Sequence, residues 1–251
     1  MTRPTTKPAA SPKREASPVE SETAKPAAGV KRVSSPVASE NAKPSTELRV
    51  YLRIEGMQRQ FAATMATPTR ARGYPPKAGD HSLIVEVAPA LAIQRVIDAA
   101  LKATPEVEPG LLYVERQYGI LEVHSSSAEV VDQAGKAILE ILDAKAEDQL
   151  KPKILYSDII EEIGDQHAVI LNRTRDASML LPGSALLVYE MAPALFAAVA
   201  ANSAERVAPN LTLVDVQMIG AAGRLFISGD LESVTAARDE ITRVLENVIG
   251  R

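Results

Sequence analysis

The sequence has 251 residues, a formal charge of −4, 46% hydrophobic and 24% charged residues, and no cysteine. This is ordinary globular composition, with length for two domains of about 100 residues each. It excludes disulfides, thiolate catalysis, zinc–thiolate sites and iron–sulfur clusters, while no apolar run is long enough for a membrane-spanning helix.

Residues 1–47 carry seven of the 17 prolines, eight Lys/Arg against five Asp/Glu, and no aromatic residue. Such a segment cannot bury enough apolar surface to offset its ordering entropy, and it reads as a disordered tail of charge +3. Within it, Lys13–Pro26 recurs as Lys31–Pro44. The repeat is read either as duplicated low-complexity sequence or as a bivalent docking motif. The tail lacks the apolar stretch of a signal peptide, so a cytosolic protein is expected. The body is left with a charge of −7, no Trp and three Phe. It offers neither a basic footprint nor an aromatic platform for nucleic acid.

The body repeats itself at an offset of 104 residues. Glu86, Ala88, Pro89, Ala90 and Leu91 fall on Glu190, Ala192, Pro193, Ala194 and Leu195; Pro105, Gly119, Leu121 and Val130 fall on Pro209, Gly223, Leu225 and Val234. In the first copy, a leading strand is expected at Glu47–Glu55 and a buried strand at Ser82–Val87. Pro89 then opens a helix that runs to about Lys102. Strands Gly110–Val114 and Ile120–His124 follow, separated at Gly119. Helix Ala128–Leu142 carries an apolar stripe of Val130, Ala134, Ala137 and Ile141. Ala144–Lys153 reads as a linker. In the second copy, the leading strand is expected at Ala168–Arg173, followed by strand Ala185–Glu190 and a helix from Pro193 to about Arg206. Strands Leu211–Met218 and Arg224–Ser228 come next, then helix Leu231–Val248 with Val234, Ala237, Ile241, Leu245 and Val248 on one stripe.

The expected fold is α+β: a tail over 1–47 and two tandem domains, 48–150 and 151–251, each a mixed or antiparallel sheet with flanking helices. Strands that precede rather than follow each unit suggest circular permutation. Glu86 and Glu190 recur at what reads as the start of the first helix, where acidic residues favour the helix dipole.

No residue set points to catalysis. His81, His124 and His167 lack metal-ligand spacing and are expected to be surface or satisfied, partly buried side chains. Gly220-Ala221-Ala222-Gly223 lacks both the basic residues of an RNA-binding loop and the Gly-Lys-Ser/Thr of a phosphate loop, so these glycines are read as turn flexibility. Gly183-Ser184-Ala185 is not a nucleophile elbow, and Glu161-Glu162 reads as a solvated pair.

The run Met218–Val234, with Gly223, Gly229-Asp230 and the following helix, resembles the shell-protein domain of bacterial microcompartments. Asp98-Ala99-Ala100-Leu101-Lys102-Ala103 is similar to the same family's first-helix ending. Pro89–Ala103, Val114–Gly119 and His167–Arg173 resemble the tandem-domain, trimer-forming members of the α-carboxysome. His124-Ser125-Ser126-Ser127 departs from the pattern where the second copy has Ser228-Gly229-Asp230.

The resemblance implies a non-enzymatic structural subunit, with no cofactor or metal, in the carboxysome shell of the cytoplasm. It implies a homotrimer acting as a pseudohexagonal tile, stacking of two trimers face to face, and edge contact with other hexameric and pentameric shell proteins. Membrane and nucleic acid are not among the implied partners. The implied pore is lined by Glu115, Arg116 and Gln117 from the first copy and by Ile219, Gly220 and Ala221 from the second. Glu115 and Arg116 match the family's gating positions, with ribulose bisphosphate, phosphoglycerate and bicarbonate as the anions crossing. Lys102 and Arg206 are the implied shell-edge assembly residues. Against this stands a cytosolic small-molecule-binding regulator with two ferredoxin-like domains, which the same α+β pattern permits.

Overall fold

Short runs rich in apolar residues, separated by three helical stretches in each half, produce two four-stranded antiparallel sheets. The computed structural model describes residues 45–67 and 73–251. The repeated tail motif, with the bivalent-docking reading placed on it, lies outside the described residues.

The first half contains β1 (Glu47–Ile54), α1 (Arg59–Met65), β2 (His81–Ala88), α2 (Ile93–Ala103), β3 (Glu108–Glu115), β4 (Tyr118–Ser125) and α3 (Ala128–Leu142). The second contains β5 (Lys153–Ile160), α4 (Asp165–Thr174), β6 (Ala185–Ala192), α5 (Phe196–Val207), β7 (Thr212–Gln217), β8 (Gly223–Gly229) and α6 (Leu231–Glu246). The sheet orders are β1-β2-β4-β3 and β5-β6-β8-β7. Even the register irregularities repeat: β1 and β5 break at Leu48/Val50 and Ile154/Tyr156, and β3 and β7 at Pro109/Leu111 and Leu213/Asp215. Irregularities kept at matching places shape the fold and are not defects.

Four expectations need correction. Residues 168–173 are not a strand but the body of α4, which follows Gly164, carries Asp165 in its first turn and buries Ala168. The leading strand of the second half is β5, so the expected linker ends where a strand begins. Pro89 and Pro193 do not open the long helices: Pro89 caps a short 3₁₀ turn, Ala90–Ala92, and α5 starts only at Phe196. Finally, α3 buries Val131, Ala134, Gly135 and Ile138, whereas Ile141 is exposed. The helix is rolled so that Gly135 faces Tyr51, whose hydroxyl would stand 2.2 Å from a Cβ at that position.

Helices α2 and α3 cover one face of the first sheet around Leu83, Val85, Leu121 and Val123. The second sheet has α5 and α6 in the same role. Helix α5 is buried far more completely than α2. It packs its own sheet with one side and receives β1 and α1 of the first half on the other. One apolar cluster therefore runs from Val50, Leu52, Ile54 and Phe61 to Phe196, Ala197, Ala201 and Ala204. Both halves lie in one compact unit.

Candidate functional site

The β3–β4 turn is a two-residue hairpin loop, because Glu115 pairs with Tyr118 across it. Such loops favour positive φ, and Arg116 adopts φ 50°. The guanidinium is thrown outward, 90% exposed, while Glu115 is 27% exposed, and Arg116 Nε lies 3.6 Å from Glu115 Oε1. This is a loose pair, free to part. The β7–β8 turn is longer, since Gln217 pairs with Arg224. Buried Met218 anchors it, and Gly220, at φ 127°, reverses it in a conformation glycine adopts readily.

The two turns meet. Glu115, Arg116, Gln117, Tyr118, Ile219, Gly220, Ala221, Ala222 and Arg224 line one cleft of about 500 Å³. All six residues assigned to a pore from the sequence are therefore neighbours within one chain. Sequence reasoning missed Arg224, whose Nε bonds Glu190 Oε1 at 2.8 Å. It also missed Arg49. The Arg49 guanidinium lies 3.9 Å from the centre of the Tyr118 ring and donates to Glu86 Oε1 at 2.8 Å. Burial pushes the Glu86 carboxyl above the ordinary range, and Arg49 pulls it back. Glu86 and Glu190 thus act within β2 and β6 rather than at a helix start. Each holds an arginine beneath a turn, from β1 in one half and β8 in the other.

The shared glycines answer to close approach, not to a break in the chain. A Cβ on Gly119 would lie 2.2 Å from the Ala90 carbonyl oxygen, and one on Gly223 would lie 2.3 Å from that of Ala194. Lys102 is exposed and bonds Asp98 on its own helix at 2.7 Å. Arg206 donates to the Glu55 carbonyl at 2.6 Å, tying α5 to the β1–α1 connection. Its neighbours do the same: Asn202 Oδ1 accepts from the Gln58 N–H at 2.8 Å, and Glu205 accepts from Gln60 and Phe61.

Of the histidines, His167 is exposed. His124 is 1% exposed, and its Nε2 has no hydrogen-bond partner, so it is not the satisfied residue expected. Among the described residues no group of three or more His, Cys, Asp or Glu could hold a metal ion, and no helix is long and apolar enough to cross a membrane.

A family model described as the CsoS1D N-terminal domain matches residues 48–148. The carboxysome shell protein CcmP of Synechococcus elongatus (strain ATCC 33912 / PCC 7942 / FACHB-805) is 42% identical over 205 residues, covering 82% of this chain and 94% of CcmP. The chain belongs to the CcmP/CsoS1D family of microcompartment shell proteins. A second family relative, the carboxysome shell protein CsoS1D of Hydrogenovibrio crunogenus (strain DSM 25203 / XCL-2), is 37% identical over 82% of this chain and 98% of its own. Among solved structures, the double ringed trimeric shell protein MSM0271 from the RMM microcompartment is 65% identical. Its TM-score is 0.79, over 82% of this chain and 98% of its own. The fused permuted hexameric shell protein MSM0275 is 40% identical with a TM-score of 0.76, over 80% and 99%. The two repeated sheets with their leading strands are accordingly tandem, permuted shell domains. The chain is a structural shell subunit rather than an enzyme, and its place is the microcompartment shell.

Proposed function

We propose that three copies close into a pseudohexameric ring whose central opening is lined by the β3–β4 and β7–β8 turns, with Glu115 and Arg116 as its gate. One observation carries the ring. Within the chain, β1 and α1 dock on α5, but their counterparts are bare. Ile154, Leu155 and Tyr156 on β5 and Val169 and Ile170 on α4 are exposed, and α2 buries only Ile93, Val96 and Ala100. Docking β5 and α4 of one copy on α2 of the next repeats the internal contact, and such a heterologous interface closes when the rotation fits a ring. The description of MSM0271 as double ringed and trimeric supports this closure, and with it the face-to-face stacking of two trimers.

Around the axis, three charged turns alternate with three small ones. Arg116, loosely held by Glu115, and Arg224 give the cleft a basic lining suited to small anions: phosphorylated sugars and acids such as ribulose bisphosphate and phosphoglycerate, and bicarbonate. Pairing of Glu115 with Arg116 closes the opening, and parting them presents the guanidinium groups to the anion. Lys102 and Arg206 are assigned to the rim, where tiles join other hexameric and pentameric shell proteins. The domain limits 48–150 and 151–251 are read as the two of six ring positions that each chain supplies. The host shell has two readings. The family relatives CcmP and CsoS1D favour a carboxysome, and the 65% identity to MSM0271 favours a shell of the RMM kind. Mass spectrometry of the cargo in isolated compartments decides between them, with Rubisco expected only for the first.

The ring is tested by native mass spectrometry, where any mass that is not a multiple of three protomers refutes it. The gate is tested by Glu115→Ala/Arg116→Ala in shells loaded with anion-consuming cargo. Entry of a phosphorylated acid should change while entry of a neutral solute of equal size does not. Unchanged anion entry refutes the gate.

A further inference from the structure

We propose that His124 is a proton-binding latch at the root of the hairpin that carries the Glu115–Arg116 turn. Strands β3 and β4 form that hairpin. The turn lies at one end, and at the other Glu108 pairs in register with His124.

The root is polar, and its inner part is buried. Glu122 is 0% exposed; it accepts from Ser82 Oγ at 2.6 Å, and His124 Nδ1 stands 3.2 Å from its other oxygen. His124 Nε2 faces Glu108 Oε2 at 3.6 Å, just beyond hydrogen-bond range. Gly110 leaves room for the pair, because a Cβ there would stand 2.2 Å from Glu122 Oε2 and 3.1 Å from the imidazole. Backbone bonds from Gly73 and Tyr74 to Gly110 and Pro109 close over it.

The second half shows that the fold does not require this. At the places of Ser82, Glu122 and His124 it has Leu186, Phe226 and Ser228, and Leu186 and Phe226 pack with Ile163, Leu180 and Val214 in an apolar cluster. A polar solution kept buried where an apolar one is available points to use.

The use follows from the charges. The groups facing His124 are Glu122 from β4, Glu108 from β3 and Asp80 from the covering segment, where Asp80 already holds the Lys77 N–H. His81 is adjacent on β2 but alternates to the opposite face. An imidazolium donates from both nitrogens, Nδ1 to Glu122 and Nε2 to Glu108, which needs only a small swing of a side chain that is 57% exposed. Neutral imidazole with its proton on Nδ1 leaves Nε2 a buried acceptor without a donor. Burial alone would lower the affinity of His124 for its proton; the bond and charge of Glu122, with Asp80 and Glu108, outweigh it and hold the group above the usual histidine value.

The sign is fixed by linkage. A group that binds its proton more tightly when the root is closed holds it most firmly below about pH 6.5, and the hold is lost as pH rises through the raised value. Within that window, opening of the root increases up to about tenfold per pH unit. The consequence for the pore rests on the proposed gate; the latch does not.

Hydrogen–deuterium exchange of the full-length assembled protein, followed from about pH 6 to about pH 9 and expressed as protection factors, tests the latch. In the native protein, protection over β3 and β4 should fall with rising pH by up to about tenfold per unit. In S82L/E122F/H124S, rebuilt to the residues of the second half, it should not depend on pH; His124→Gln serves if that variant fails to fold. A flat native profile, or parallel profiles in native and variant protein, overturns the latch. Anion entry measured on the same series separates the readings. A latch that titrates without altering entry removes only its coupling to the gate, and entry that varies with pH over a flat profile removes the latch and leaves the gate standing.

Discussion

Replacing Glu205 tests the internal contact that the proposed ring repeats between copies. Glu205 is 5% exposed on α5 and receives the first-turn N–H groups of α1, Gln60 at 2.8 and 3.0 Å and Phe61 at 3.0 Å. These are hydrogen bonds to a charged acceptor, each contributing about 1.5–3 kcal/mol net. Glu205→Ala removes both and leaves two donors in a seam that also buries Phe61, so a loss of about 3–5 kcal/mol is expected. For a unit of this size that lowers the unfolding midpoint by roughly 6–20 °C, and Glu205→Gln, which keeps one acceptor oxygen, should lose about half as much. The measurement is thermal unfolding followed by circular dichroism at fixed protein concentration. A shift below about 2 °C for Glu205→Ala would mean that the two halves are not held at this seam. The internal contact would then be a poor template for the contact between copies.

Five further substitutions read other parts of the structure. Arg49→Met strips the buried Glu86 carboxylate of its cation and should cost about 3 kcal/mol near neutral pH. Burial already raises the Glu86 carboxyl, so without Arg49 it rises further. Urea unfolding should therefore show a deficit largest near pH 8 that shrinks toward about pH 5, and a deficit that grows on acidification contradicts this. Gly119→Ala and Gly223→Ala each push a Cβ into a backbone carbonyl and should each destabilise by about 2–4 kcal/mol, whereas Gly164→Ala, at the N-cap of α4 with open space around it and φ −72°, should cost less than about 1 kcal/mol in the same assay. Lys102→Glu should leave the ring mass intact and abolish ordered sheets in electron micrographs. Loss of the ring itself would move Lys102 to the seam between copies, the place that the Arg206–Glu55 bond occupies within the chain.

What the sequence revealed depended on whether the information was local. The repeat of Glu86–Leu91 in Glu190–Leu195 and the glycines at 119 and 223 located three strands and two helices in each half, because periodicity and breakers are local signals. Strand β5 was missed because Lys-Ile-Leu-Tyr-Ser-Asp-Ile-Ile has no alternation: in a single copy nearly the whole strand is exposed, and its pattern is not set by a core within the chain. The run from Ala168 to Leu171 looks like a strand by composition, yet it forms a helix, a choice that Asp165 at its start signals only weakly. The pore residues were legible through family resemblance. Arg49 and Arg224 were not, since their partners Glu86 and Glu190 lie 37 and 34 residues away. The Ser82–Glu122–His124 cluster was invisible for the same reason, as only the strand register brings Ser82 against His124.

The duplication supplies a control that a single domain lacks. Where both copies keep a residue, as at Gly119/Gly223 and Glu86/Glu190, the structure gives it the same mechanical role, either close approach to a carbonyl or an anchor for an arginine below a turn. Where the copies differ while the strand registers repeat to the same irregularities, the strand pairing is not the reason. Three differences lie along one hairpin. Arg116-Gln117 stands opposite the small Gly220-Ala221 turn, Tyr118 carries the Arg49 guanidinium of β1 over its ring where the second half has Ala222, and Glu122–His124 replaces an apolar packing at the hairpin's root. If β3–β4 were only a structural hairpin, it would have no cause to depart from β7–β8 at its tip, its side and its base together. The specialised element of the chain is therefore this hairpin, and exchanging it for the sequence of its counterpart should keep the fold while removing both the gate and the latch.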